Sequence, residues 1–113
     1  MKAALLTVIV LGLSAGSAAA QDKAAIERGM KVYADSKCSV CHSIDGKGQA
    51  KGPLDGVGLK YTEAEMRDWM VKPAEMTKKT NAPRKPPMRA YPNLAKEDLD
   101  ALVAYMMSLK KKA

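Results

Sequence analysis

Two cysteines and a histidine lie within five residues of one another, and they limit what this chain can fold around. Cys38, Cys41 and His42 have the spacing C-x-x-C-H, and they are the only cysteines and the only histidine among 113 residues. Thiolate and imidazole are the side-chain groups that proteins use for softer metals. All such chemistry in this chain is therefore concentrated in one short segment.

The same spacing is that of a c-type haem attachment site. Each thiol of such a motif can form a thioether with one vinyl group of the porphyrin, and the histidine that follows is held against the iron as an axial ligand. The sequence thus predicts one covalent haem c, bound through Cys38 and Cys41, with His42 as a ligand of its iron.

A zinc site, a redox-active pair or a structural disulfide would each account for less of the sequence. A structural zinc site usually needs four protein ligands, whereas two cysteines and one histidine supply only three. A thioredoxin-like redox pair belongs in a βαβ unit, and the flanking pattern here is helical. A disulfide between Cys38 and Cys41 would make the adjacent histidine a coincidence. The motif itself excludes none of these, so the context provided by the rest of the chain has to decide.

Residues 1–20 have the features of a secretory signal peptide. Lys2 precedes an apolar run that ends at Leu13, and the small residues after it end in Ala18-x-Ala20, which suits signal peptidase. The apolar run is too short to span a bilayer comfortably. We therefore expect cleavage after Ala20, a periplasmic location and no stable membrane insertion.

Removing twenty residues from 113 leaves a mature chain of 93, which we expect to form one domain over residues 21–113. This is near the size at which an unaided hydrophobic core becomes marginal. The chain has no phenylalanine, one tryptophan and four tyrosines. A porphyrin would supply the missing apolar bulk, so we expect the apoprotein to fold poorly.

Apolar residues at helical spacing predict three main helices and no β-sheet. The first runs from Asp22, as its N-cap, to about Ser36 and contains Ile26, Gly29, Met30 and Tyr33 on its apolar face. The interior glycine suggests that another helix crosses closely there. The second helix runs over residues 62–73, opening with a capping box and ending at a proline, and the third runs over residues 96–109.

Two segments have compositions that exclude regular structure. Residues 43–58 contain five glycines and a proline, and residues 78–92 contain four prolines. A metal-binding histidine needs an acceptor for its other ring N–H. We expect a backbone carbonyl of the first segment to accept from His42, with Pro53 as the candidate. Trp69 on the second helix is expected to pack in the core, or to donate its indole N–H to a haem propionate.

The sixth ligand of the iron cannot be a second histidine from this chain. The mature chain has seven methionines, and five of them lie on predicted helices, where methionine usually fills gaps in the core. Met76 and Met88 remain, and the prolines beside Met88 would stiffen its segment, so Met88 is the predicted ligand. Histidine–methionine ligation raises the reduction potential and closes the iron to small ligands, as in an electron carrier rather than an enzyme.

With these features, the chain resembles the class I cytochromes c in their short bacterial, periplasmic, single-haem form. Besides the haem motif, the matching features are Gly29-x-x-x-Tyr33, Gly52-Pro53-Leu54, Pro87-Met88 and Leu99-x-x-Leu102-Val103-x-Tyr105. Tyrosine stands at position 33 where phenylalanine is common in the class, a difference expected to change little.

The resemblance implies a small all-α fold of three to five helices wrapped around one covalently attached haem. The first and last helices would cross near Gly29 and Tyr105. It also implies His42 and Met88 as the axial ligands, with the carbonyl of Pro53 holding His42. Single electrons would then pass through an exposed edge of the haem.

Basic residues are concentrated on the segment that carries Met88. Residues 72–90 hold six basic side chains against Glu75 alone, or +5 out of a mature net charge of +6 (18 basic, 12 acidic). We expect them to attract a redox partner with an acidic docking face, unless they are an ordinary solvated surface. Nucleic acid fits less well because the protein is exported and only Tyr91 is near for stacking. The six are Lys72, Lys78, Lys79, Arg84, Lys85 and Arg89.

Three functions remain open at this point. The first is a soluble electron shuttle between respiratory complexes, and the second is a dedicated cytochrome subunit of a periplasmic dehydrogenase, bound within a hetero-complex. The third is a haem enzyme or gas-binding protein with an open sixth site. The predicted ligand pair favours electron transfer.

Overall fold

The computed structural model describes residues 17–112, with side chains from Asp22 onward. Residues 1–16 of the predicted leader therefore lie outside the described residues, whereas its predicted end at Ala20 lies within the first helix. The helices are α1 (Ser17–Asp35), α2 (Val57–Lys60), α3 (Glu63–Val71), α4 (Pro73–Thr80) and α5 (Lys96–Ser108), with a 3₁₀ helix at Cys38–Val40. Two strands, β1 (Ser43–Ile44) and β2 (Lys47–Gly48), form one short antiparallel pair. The expected all-α architecture of a small cytochrome c fold is confirmed.

The helices α1 and α5 cross at close range because a glycine lies at the crossing point. A Cβ atom on Gly29 would overlap the carbonyl oxygen of Ala101 and would lie 2.6 Å from the Cβ of Tyr105. The rings of Tyr33 and Tyr105 pack edge to face beside it, with their centroids 5.8 Å apart. The predicted crossing near Gly29 and Tyr105 is confirmed.

The helix α3 begins where the capping pattern predicts and packs on α5. The Thr62 hydroxyl accepts from the backbone N–H of Glu65 at 3.2 Å, and the Glu65 carboxylate accepts from the N–H of Thr62 at 3.0 Å. Together they satisfy two N–H groups that a helix start leaves without partners. An ion pair between Arg67 and Asp100, 2.8 Å long, joins α3 to α5 at the surface.

A small core rich in methionine lies between α1, α3 and α5. Flexible thioether side chains can fill irregular gaps, which suits a chain without phenylalanine. Met30, expected on the apolar face of α1, is instead 50% exposed. The residues of this core are Val32, Met66, Met70, Leu102, Val103 and Met106.

Three expectations about element boundaries are wrong. The helix α1 already begins at Ser17, so Asp22 lies inside it and does not cap it. The glycine-rich segment 43–58 contains the two short strands, because glycines with positive φ, such as Gly46 (φ 76°), close a tight turn between them. The helix α2 also begins within this segment, at Val57. Pro73 begins α4, because proline is tolerated at the first position of a helix.

The expectation that Met76 lies on irregular backbone is wrong, because Met76 lies in α4. It is a helical core residue, with 3% of its surface exposed.

None of the helices among the described residues has the length and the apolar composition of a membrane span.

Candidate haem site

The 3₁₀ helix folds the two cysteines and the histidine into one turn. The carbonyl oxygen of Cys38 accepts from the N–H of Cys41 at 3.1 Å and from the N–H of His42 at 2.9 Å. The two cysteines do not form a disulfide with each other, and Cys38 is partly buried whereas Cys41 is exposed. Burial raises the pKa of the Cys38 thiol. Within residues 17–112, no group of three or more His, Cys, Asp or Glu side chains is arranged as a metal site.

His42 is held in the tautomer that an axial iron ligand requires. Its Nδ1 lies 3.1 Å from the carbonyl oxygen of Gly52. A carbonyl can only accept, so Nδ1 carries the proton and Nε2 keeps the lone pair that can bind a metal. Burial lowers the pKa of His42, against the opposite effect of the Gly52 hydrogen bond and with a small contribution from the charge of Arg84. Burial therefore favours the neutral ring, whose Nε2 can coordinate a metal.

The carbonyl that holds His42 belongs to Gly52 and not to Pro53, which corrects the prediction by one residue. The segment pairs with Ser43, whose N–H donates to the Gly52 carbonyl at 3.0 Å and whose carbonyl accepts from Leu54 N–H at 2.8 Å. Successive carbonyls of an extended chain point in opposite directions. This register turns the Gly52 carbonyl towards His42 and the Pro53 carbonyl away from it.

Met88 lies on the non-helical segment between α4 and α5, residues 81–95, which is called the Met88 segment below. Its side chain is partly buried and packs against the hydrophobic core. The segment is fixed at its two ends, where Ala82 N–H donates to Thr77 at 3.1 Å and Tyr91 N–H donates to Met70 at 2.8 Å. The role of Met88 as an iron ligand stays a prediction.

Two buried polar atoms fit a bound group that carries hydrogen-bond acceptors. In the described part of the chain, Tyr33 Oη and Trp69 Nε1 are buried and have no hydrogen-bond partner. A buried donor without a partner is costly, and haem propionates are acceptors that an indole or a phenol can satisfy. The residues present therefore fit a haem, and the structure leaves the predicted role of Trp69 open.

Tyr33 is a candidate site residue, although its hydroxyl was expected from the sequence to change little. Burial raises its pKa to about 12, with the neighbouring Cys38 contributing to the shift. The signal was the tyrosine at a position where phenylalanine is common in the class, because a buried hydroxyl needs an acceptor that a phenyl ring does not.

Arg84 is a residue whose position the sequence did not indicate. Its guanidinium donates to the carbonyl oxygen of Cys41, 43 residues earlier in the chain. The sequence alone identifies Arg84 only as one of six basic residues between positions 72 and 90. No local pattern announces such a contact, because it depends on how two distant segments pack.

The other basic residues between positions 72 and 90 differ in how far nearby carboxylates neutralise their charges. Lys72 lies 3.7 Å from Asp68 and 3.9 Å from Glu75. Arg89 lies over the ring of Tyr91, 5.7 Å from its centroid. Within residues 22–112, no carboxylate lies within 4.0 Å of the cationic groups of the following exposed residues: Lys78, Lys79, Lys85 and Arg89.

Comparison with known proteins supports the same interpretation. The family model described as cytochrome c matches residues 26–110. The chain is also 32% identical over 92 residues to cytochrome c oxidase subunit 2 of Alkalihalophilus pseudofirmus strain OF4, in an alignment that covers 74% of this chain and 25% of that protein. It thus corresponds to about a quarter of that relative's length. No solved structure matches.

The family match covers the crossing of α1 and α5, the haem motif and the Met88 segment. Electron transfer by a haem is the chemistry of this family. The chain therefore belongs to the cytochrome c family and carries one haem c, attached covalently through Cys38 and Cys41.

Proposed function

We propose that this protein is a periplasmic single-electron carrier in which His42 and Met88 are the two axial ligands of the haem iron. The observation that carries the proposal is the 3.1 Å contact from His42 Nδ1 to the Gly52 carbonyl. It leaves Nε2 as the coordinating nitrogen of the only histidine in the chain. The opposite ligand must therefore come from another residue type.

Met88 is the best candidate for that ligand. Of the methionines at positions 22–112, it alone lies outside a helix. The others are committed to helix faces, and four of them are buried core residues with 6% exposure or less. The segment around Met88 instead contains three prolines before it, which limit its conformations, and it places the side chain beside the core. A thioether brought to the iron from this segment needs no helix to unwind.

The haem supplies a one-electron iron couple. The residues of the chain would hold the iron ligands in place and leave the attachment segment accessible at the surface. His42 is oriented by Gly52, and a thioether ligand raises the reduction potential. Cys41 is exposed and Val40 is 68% exposed, so the attachment segment lies at the surface, where a partner can approach closely.

The basic residues support a partner with an acidic docking face. Lys78, Lys79, Lys85 and Arg89 are exposed and belong to the region of Met88. Their field would attract an acidic partner before contact, and the association rate would fall as salt rises. Lys72 should contribute less, because Asp68 and Glu75 already offset its charge.

The signal-peptide features of residues 1–20 support the periplasmic location. The expected result is a mature protein that begins at Gln21. Mass spectrometry of the protein isolated from the periplasm measures this directly, and an N-terminus that retains the apolar run would contradict it.

A second candidate function is supported by the named relative. Because that protein is a subunit of a cytochrome c oxidase, this chain could work as the cytochrome subunit of a larger redox complex, such as a periplasmic dehydrogenase. Size-exclusion chromatography of a native extract separates the two candidates. A free carrier elutes at the size of the mature chain, whereas a dedicated subunit elutes with its catalytic partner.

The ferric absorption spectrum tests the ligand pair. The wild-type protein should show the weak near-infrared band of a methionine–iron bond. Met88→Ala should lose this band and Met76→Ala, a matched loss of a methionine from the core, should keep it. A wild-type protein without the band would contradict the proposal and favour a haem protein with an open sixth site.

A further inference from the structure

One side chain connects the two segments that the proposed ligands occupy. Arg84 lies four residues before Met88, and its Nη1 donates to the carbonyl oxygen of Cys41, the residue before His42. A hydrogen bond from a guanidinium is charge-assisted and stronger than one between neutral groups. The Arg84 side chain is itself partly buried, so it is held against the chain rather than extended into solvent.

The place that Arg84 occupies exists because residue 52 is glycine. A Cβ atom on Gly52 would overlap both the Nη1 atom of Arg84 and the carbonyl oxygen of Cys41. The carbonyl of the same glycine accepts from His42 Nδ1 at 3.1 Å. Arg84, Gly52, Cys41 and His42 therefore form one cluster, in which the guanidinium reaches the backbone that orients the histidine.

Apart from the packing of Met88 against the core, the Met88 segment has little else to hold it. In the described structure, no backbone N–H of residues 83–90 donates to another backbone group. The backbone hydrogen bonds of the segment lie at its ends, at Ala82 and Tyr91. Loss of one side-chain hydrogen bond in the middle should therefore change how often the segment opens.

We propose that Arg84 is a positioning residue that latches the Met88 segment to the Cys41–His42 segment and so keeps the methionine at the iron. The inference rests on the proposed ligation by Met88. Arg84 acts through the Cys41 carbonyl and is not itself a ligand. Without the latch, the open form of the segment, in which the sixth site is accessible, becomes more populated.

Binding of imidazole to the ferric holoprotein measures that population. Imidazole can bind only when the sixth site opens, so its apparent affinity rises in proportion to the open fraction. We expect Arg84→Ala to bind imidazole about tenfold more tightly than the wild type, the lower end for loss of a charge-assisted hydrogen bond, because the guanidinium is only partly buried. Arg84→Lys, which keeps a charged donor, should recover part of the wild-type value.

Lys51→Ala is the matched control. Lys51 is exposed and precedes Gly52, so its removal deletes a positive charge close to the same cluster without touching the latch. Its imidazole affinity should stay within about twofold of the wild type, since an exposed charge is screened by solvent. A purely structural role for Arg84 would lower the urea midpoint of the helical circular dichroism signal without changing imidazole affinity in native buffer.

Equal imidazole affinities for Arg84→Ala and Lys51→Ala, in a wild-type protein that shows the methionine–iron band, would overturn the latch and leave Met88 ligation standing. A wild-type protein without that band would overturn both. If Arg84→Ala does not fold, Arg84→Gln serves in its place, because it removes the charge and shortens the donor while keeping much of the side chain. It should also bind imidazole more tightly than Lys51→Ala, and equal affinities would again refute the latch.

Discussion

The two segments that supply the proposed haem ligands are held in different ways. Around His42, the backbone bonds to itself: His42 N–H donates to Cys38 at 2.9 Å, its carbonyl accepts from Gln49 at 2.9 Å, and Ser43 N–H donates to Gly52 at 3.0 Å. The segment around Met88 has such bonds only at its ends and relies on Arg84 and on packing against the core.

This difference teaches where the molecule can be tuned. A segment fixed by its own backbone responds mainly to substitutions that disturb the backbone, such as those at glycines. A segment fixed by a few side chains can open while the helices stay folded, as local unfolding commonly does. We therefore expect substitutions near His42 to change stability and substitutions near Met88 to change ligation.

The largest effect should come from removing both thioethers. Cys38→Ser combined with Cys41→Ser cannot attach haem covalently, and a core without phenylalanine lacks the apolar bulk to fold alone. We expect no haem stain on a denaturing gel and no cooperative thermal transition by circular dichroism. Ser39→Ala, between the two cysteines, is the control and should stain normally. A double variant that melts cooperatively would show that the haem is not part of the core.

Replacing each of two methionines separates ligation from packing. Met88→Ala should open the sixth site, so that imidazole no longer competes with a protein ligand for the ferric iron. The same substitution should lower the free energy of unfolding only modestly. Met76→Ala should leave imidazole binding unchanged and lower the free energy of unfolding by about 2–4 kcal/mol, because it leaves a cavity in a buried site. Imidazole titration and urea unfolding measure the two effects. A reversal of the two outcomes would assign the ligand to Met76.

Two glycines of the hairpin after His42 test how strongly the backbone there is fixed. Gly48 has φ 109°, and a Cβ on it would overlap the carbonyl oxygen of His42, whereas Gly46 has φ 76° and no atom within 4 Å of such a Cβ. We expect Gly48→Ala to lower the free energy of unfolding by about 3 kcal/mol or more. Gly46→Ala should cost only about 1 kcal/mol for its left-handed conformation. If urea unfolding gave the same loss of stability for both variants, the backbone at Gly48 would be free to move away from the added methyl group.

The smallest effect should come from single charges in the Met88 region. Lys79→Ala should lower the rate of reduction by hexacyanoferrate(II), an anionic reagent, by about twofold at low ionic strength. Lys72→Ala should change it less, because Asp68 and Glu75 already offset that charge. Stopped-flow rates at several salt concentrations measure both effects. A larger effect at Lys72 than at Lys79 would contradict the view that lysines without a nearby carboxylate contribute most to the attraction.

Local patterns in the sequence were enough to predict much of this fold. The capping box at Thr62 and the haem motif each depend on neighbours within one or two turns of chain. Gly29 makes a contact with a distant helix, but its place inside a helical pattern was enough to indicate the crossing. Features set by contacts between distant segments were missed: Gly52 instead of Pro53 as the partner of His42, and the contact of Arg84 with Cys41. Both depend on a pairing register that composition does not encode.

The direct test of the proposed ligand pair is nuclear magnetic resonance of the reduced holoprotein with isotopically labelled methionine methyl groups. A methionine on the haem axis lies over the porphyrin ring, whose ring current moves its methyl resonance far upfield. We predict one such resonance in the wild type and in Met76→Ala, and none in Met88→Ala. A wild-type spectrum without it, or a shifted resonance that survives in Met88→Ala, would contradict Met88 as the ligand opposite His42.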